Sequence, residues 1–118
     1  MDPDHTDTDA AALARELLPR LRRWNAASWS AAADRPRARP RAGRPTRADV
    51  VAAVVQRLAD VAADAEGRPH RTVPRLAGVN PADQLTVMVD DVLRTGDPAA
   101  LRTAADELAA LRAALGFR

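Results

Sequence analysis

The stretch TRADVVAAVVQRLADVAADAEG, residues 46–67, decides the fold class. Val51, Val54, Leu58, Val61 and Ala65 recur at 3-4-3-4 spacing, which lines them up along one stripe of an α-helix. Val50, Val55 and Ala62 widen that stripe. Thr46 with Asp49 has the form of a capping box, with Asp in place of the usual Glu or Gln. Gly67 suits the residue just past a helix end, where a left-handed backbone is needed. A helix with one apolar stripe must bury it against other helices, so the segment predicts a bundle.

Downstream, Asn80-Pro81 reads as an N-cap followed by proline at the first helical position. The helix near 81–95 has Leu85, Met88, Val89, Val92 and Leu93 on its apolar face, with Val87 off it. Gly96 ends this helix, and Asp97-Pro98 starts the last one near 98–115, with Leu101, Ala104, Leu108, Leu111 and Leu115. A two-residue junction predicts an antiparallel hairpin of these two helices. The connection 67–80 is long, and Val73, Leu76 and Val79 are expected to anchor it along the bundle.

Upstream, Leu13, Ala14, Leu17, Leu18, Leu21, Trp24 and Trp29 fall in one arc, which predicts a single helix over 9–33, kinked at Pro19. Trp24 and Trp29 then lie at opposite margins of its apolar face. Residues 1–8 are expected to be a disordered acidic tail, and 34–45 an extended Arg/Pro linker long enough to span a bundle. The expected fold is all-α: a four-helix bundle-like single domain over 9–118. Its core should hold Leu18, Leu21, Val54, Leu58, Val61, Leu85, Val92, Leu101, Leu108 and Leu111.

Composition narrows the chemistry. Of 118 residues, 47% are hydrophobic, but 28 are Ala, leaving 27 large apolar side chains for one thin core. All 18 basic residues are Arg, and there is no Cys, Tyr or Ile. Thiolate metal sites, disulfides and Cys nucleophiles are therefore excluded. The net charge of +2 hides an uneven distribution. Residues 1–9 carry −4, residues 10–47 carry +8 and residues 48–118 carry −2. No apolar stretch is long enough for a membrane span, and no signal-peptide pattern opens the chain; the expected setting is cytoplasmic.

Two basic clusters are candidate anion sites. Arg35, Arg37, Arg39, Arg41, Arg44 and Arg47 alternate with Pro and small residues, a stiff arm suited to phosphate contacts. Within it, Pro36-Arg37-Ala38-Arg39-Pro40 resembles the core of an AT-hook, the Pro-Arg-Gly-Arg-Pro element of minor-groove binders. The resemblance implies DNA contact by Arg37 and Arg39. Ala38 replaces the family's Gly, and its Cβ opposes close approach to the groove floor. The second cluster is Arg68, His70, Arg71 and Arg75 on the long connection, an alternative anion site if the side chains converge. Trp24, Trp29 and Val87 are candidate interface residues.

No Glu-x-x-His pair, Gly-rich phosphate loop or supported Ser/His/Asp set occurs. No catalytic residue, metal or cofactor is expected. The leading expectation is a non-enzymatic helical interaction module that binds an unknown protein or a second copy of itself. The alternative is a nucleic-acid-associated accessory protein using the Arg/Pro arm. The third is a small-anion-binding protein or enzyme using residues 68–75.

Overall fold

The computed structural model describes residues 3–33 and 45–117, with the side chains of 3–9 excepted. It is an all-α bundle of α1 (Pro3–Arg22), α2 (Ala26–Ser30), α3 (Arg47–Ala65), α4 (Pro81–Thr95) and α5 (Pro98–Ala114). The last three match the predicted helices closely. Their caps are as read: Thr46 and Asp49 form a reciprocal capping box, and Asn80 accepts from the Ala82 amide. Gly67 at φ +68° follows α3, with Gly67 N–H donating to Asp64 O and Arg68 N–H to Ala63 O. Those two bonds make a Schellman motif.

The first predicted helix is corrected at its two ends, while its continuity through Pro19 is as expected. It starts at Pro3, where a ring-fixed φ and a missing donor cost nothing at the first helical position, so residues 3–8 are part of a helix. It passes through Pro19. It stops at Arg22, and a separate one-turn helix follows. The break comes from Asn25, which adopts an extended conformation and caps α2 by accepting from the Ser28 amide at 2.9 Å. A strong N-cap restarts the helix in a new direction. Five helices therefore replace the expected four.

The packing order follows from side-chain pairs. Leu13 and Glu16 lie along Ala105, Asp106 and Ala109, Glu16 ion-pairs with Arg112 at 2.9 Å, and Arg20 stacks over Phe117. These rising pairs make α1 and α5 parallel. Arg22 donates to Thr86 at 2.9 Å, while Ala11 and Ala14 lie near Val89 and Leu93, so α1 and α4 are antiparallel. Arg57 pairs with Glu107, and Val61 and Ala65 lie near Asp97 and Ala100, so α3 and α5 are antiparallel too. Around the bundle the order is α1, α5, α3, α4. Helices α1 and α3 sit on one diagonal and make no helix-to-helix contact. The pair α4 and α5 has the expected two-residue junction and runs in opposite directions. These two helices nonetheless touch less than any of the neighbouring pairs in that ring.

This arrangement makes the second long connection, not the first, the crossover. Helices α3 and α4 start at the same end, so residues 66–80 return along the full length of α3, about 28 Å. The first connection closes on itself. Ala33 N–H donates to Pro45 O at 3.2 Å and Arg47 N–H to Ala31 O at 2.9 Å, with an isolated bridge between Ala32 and Thr46. Ala33 and Pro45 thus lie side by side; the expected Arg/Pro linker between them lies outside the described residues.

The core runs between the four long helices. Leu17, Leu21, Leu58, Leu85, Leu108 and Leu111 are fully buried, each stabilising by about 1.5–3 kcal/mol. Nine of the ten expected core residues are buried; Val61 is only partly so, packed at the edge. Among the described residues, no polar or charged side chain is buried. No helix among them is long and apolar enough to cross a membrane.

Candidate functional site

The end of the bundle where α1 finishes and α3 and α4 begin gathers the chain's large aromatics. The break at Asn25 does this. In one continuous helix Trp24 and Trp29 would sit about 140° apart on the circumference. Across the break they meet edge-to-face, with ring centroids 4.9 Å apart and planes at 75°. Such a pair contributes about 0.5–1.5 kcal/mol beyond its buried area. Phe117 completes the cluster. A Schellman motif at Gly116, closed by Phe117 N–H to Arg112 O, folds the chain end back, and Phe117 reaches Trp24 at 5.7 Å.

Two arginines stack on this cluster. Arg20 lies 5.0 Å from the Phe117 ring centroid and Arg47 lies 4.8 Å from that of Trp24. Arg47 also donates to Ser28 O at 3.4 Å, and its Nε is buried without a partner among the described residues. Of the six arm residues, Arg47 is therefore turned onto Trp24 and holds α2 against the start of α3. Arg35, Arg37, Arg39, Arg41 and Arg44 lie outside the described residues.

Beside the Trp pair is a cleft of about 510 Å³. Trp24 and Trp29 form one wall, and Ala48, Val79 and Pro81 another. Three helix N-caps, Asn25, Thr46 and Asn80, line it, and among the described residues no charged side chain does. The positive ends of α3 and α4 thus border an apolar cleft. Val79 stands at its edge, 39% exposed. Trp29 is more than nine-tenths buried, and its Nε1 has no partner among the described residues. An unsatisfied buried donor of this kind costs about 1–3 kcal/mol.

Val87, the third interface candidate, is 54% exposed on α4 and does not line this cleft. The structure brings the two Trp residues together and leaves Val87 apart.

The cluster at 68–75 does not converge. Arg68 pairs with Glu66, and Arg75 reaches Asp49 Oδ1 at 2.7 Å. His70 Nε2 lies 2.7 Å from Asp64 and its Nδ1 lies 3.6 Å from Asp60. Arg71 is exposed, and only its carbonyl is engaged, by Gln56. The hydrogen bond that His70 donates to Asp64 raises the His70 pKa above its ordinary value; burial opposes this and Asp60 adds to it. The Thr46 backbone N–H lowers the Asp49 pKa, with Arg75 next in effect. Arg68, His70 and Arg75 thus meet acids at separate points along α3 and its C-cap, and Arg71 joins none of them among the described residues.

Sequence reasoning missed the main tie. Gln56 Oε1 accepts from Val73 N–H at 2.8 Å, while its Nε2 donates to Arg71 O at 3.0 Å and Asp60 Oδ1 at 2.9 Å. Gln84 adds a bond to Pro74 O at 2.9 Å. Of the three expected apolar anchors, Val73 packs on the core, whereas Leu76 is 53% exposed and Val79 borders the cleft. The connection is thus held mainly by side-chain amides. A polar residue at the margin of a helix stripe was the available signal, but its partners lie 15 and 17 residues away.

No protein-family model, curated protein or solved structure matches the chain.

Proposed function

We propose that this protein is a non-catalytic helical interaction module whose working surface is the Trp-lined end of the bundle. The observation that carries the reading is convergence at that end: the aromatic cluster, the cleft and the paired Ala33 and Pro45 lie together. The residues with shifted protonation are held by structural contacts, Asp49 by the Thr46 amide and Arg75, and His70 by Asp64 and Asp60. A second copy of the chain remains one form the partner can take. The test is selection of phage-displayed random peptides on the immobilised full chain. Enrichment that is lost on a Val79→Glu variant of unchanged circular dichroism supports the reading. Enrichment indifferent to Val79→Glu, or none, rejects this surface.

A second reading, a nucleic-acid-associated accessory role, is favoured by the Ala33–Pro45 closure. Five arginines of the sequence, from Arg35 to Arg44, arise between two points that are hydrogen-bonded to each other. If all five met phosphates, log K against log salt would have a slope near −4.5, since Arg47 is engaged with Trp24. Fluorescence anisotropy with AT-rich and GC-rich duplexes measures it. No binding at low salt removes this reading.

A further inference from the structure

We infer that the Trp-lined cleft takes a large apolar side chain presented by an acidic peptide segment. The inference rests on the interaction-module reading and names the chemistry of the partner.

The apolar requirement comes from the walls. Trp24, Trp29, Val79 and Pro81 line an open, shallow depression of about 510 Å³, wide enough to seat one large apolar side chain against the indole rings. Trp24 is packed by Trp29, Phe117 and Arg47, which hold its ring in place. Packed aromatic anchors are where binding energy concentrates.

The acidic requirement comes from charge. Among the described residues no acidic side chain lines the cleft, and the N-termini of α3 and α4 open beside it; of the acids in their first turns, Asp49 is paired with Arg75 and Asp83 stands off the lining. The nearby last turn of α1 carries Arg20 and Arg22, followed by Arg23, all exposed. At the opposite end Asp64, Glu66 and Asp97 stand with Arg68 and Arg94, so the charge there is mixed. A segment bearing carboxylates is attracted to the exposed arginines of the cleft end. The unpartnered Trp29 Nε1 offers the site a donor for which the described residues supply no acceptor.

The chain supplies its own reporter. It has two Trp and no Tyr, and both Trp residues line the cleft, so intrinsic fluorescence reads this site alone. The experiment titrates the full chain with a short Asp/Glu peptide carrying a single Leu. It is repeated with the same peptide bearing Ser for Leu, with an uncharged Leu peptide, and with duplex DNA. The expected result is a saturable emission change with the acidic Leu peptide, weakened about tenfold by Leu-to-Ser exchange, by loss of charge, and by Val79→Glu in the protein. Ala48→Glu, which also lines the cleft, should act the same way if Val79→Glu fails to fold. Equal binding of the Ser peptide overturns the apolar pocket. Equal binding of the uncharged peptide overturns the acidic requirement. Response to DNA alone, or to nothing, overturns the inference. If displayed peptides of other chemistry still need Val79, this inference fails while the interaction-module reading stands.

Discussion

Replacing Gln56 with Met should loosen the crossover without opening the core. Met keeps the length and most of the volume of the side chain and removes both polar ends. The Val73 amide, half-buried, loses its acceptor, and the Arg71 carbonyl loses its donor. A net hydrogen bond contributes about 0.5–1.5 kcal/mol, and a buried donor left unpaired costs about 1–3 kcal/mol. The Arg71 carbonyl is exposed and water replaces much of its bond, so the Val73 side dominates. The expected cost is about 1–3 kcal/mol. For a chain of this length, roughly 4 °C of melting temperature follows each kcal/mol, so Tm should fall by about 4–12 °C. Hydrogen exchange locates the effect: the Val73 amide should lose protection while amides of α5 keep theirs relative to global unfolding. Gln56→Glu retains an acceptor for Val73 but places a carboxylate beside Asp60, so it should recover only part of the loss. An unchanged Tm together with a still protected Val73 amide would refute the role given to Gln56.

Leu58→Ala removes a side chain with no solvent exposure from the centre of α3, and should cost about 2–5 kcal/mol in denaturant unfolding. His70 has a raised folded-state pKa, so its contribution is fully present below 6.5 and disappears as pH rises through the folded value. The stability gap between the native chain and His70→Ala should therefore be larger near pH 5.5 than near about pH 8.5. Asp49 has a lowered pKa, and its contribution is present above 3.8 and is lost as pH falls through the folded value; Asp49→Asn should matter at neutral pH and little in strong acid. Sedimentation tests self-association: if Val87 and the Trp cleft serve a second copy, the 12.6 kDa chain should show a concentration-dependent mass, and Val87→Glu or Val79→Glu should abolish it.

The elements legible in the sequence were those announced by local chemistry. Gly67 and Asn80-Pro81 need only their immediate neighbours to act, and they bound α3 and α4 as read. The stripe through Val51, Val54 and Leu58 identifies the buried face of α3, because burial of a stripe is a property of the helix itself. What the stripe does not identify is which helix covers it. The ring order follows from shape-fitting among four similar Leu/Ala faces. The break at Asn25 is hidden in the sequence for a related reason. Trp29 extends the apolar arc of α1, and periodicity concealed the N-cap that ends it. The cleft was legible only as two tryptophans, since their meeting depends on the break that Asn25 makes.

The topology explains why the candidate site exists at that end. Had α3 and α4 formed a simple hairpin, one N-terminus and one C-terminus would lie side by side, and their end charges would largely cancel. The crossover along α3 instead starts both helices at the same end. Thr46 and Asn80, the two N-caps, then face one cleft. The parallel run of α1 and α5 brings the last turn of α1 and Phe117 to that end as well. The loop ends at Ala33 and Pro45 join them, because α2 turns the chain back toward the start of α3. Gln56 stands far from the Trp pair in sequence, yet the strap it fastens is what lets α4 begin beside α3. Attraction for an anionic, apolar partner at this end is thus a property of the path of the chain, set by a few polar clamps on residues 66–80 as much as by the residues that line the cleft.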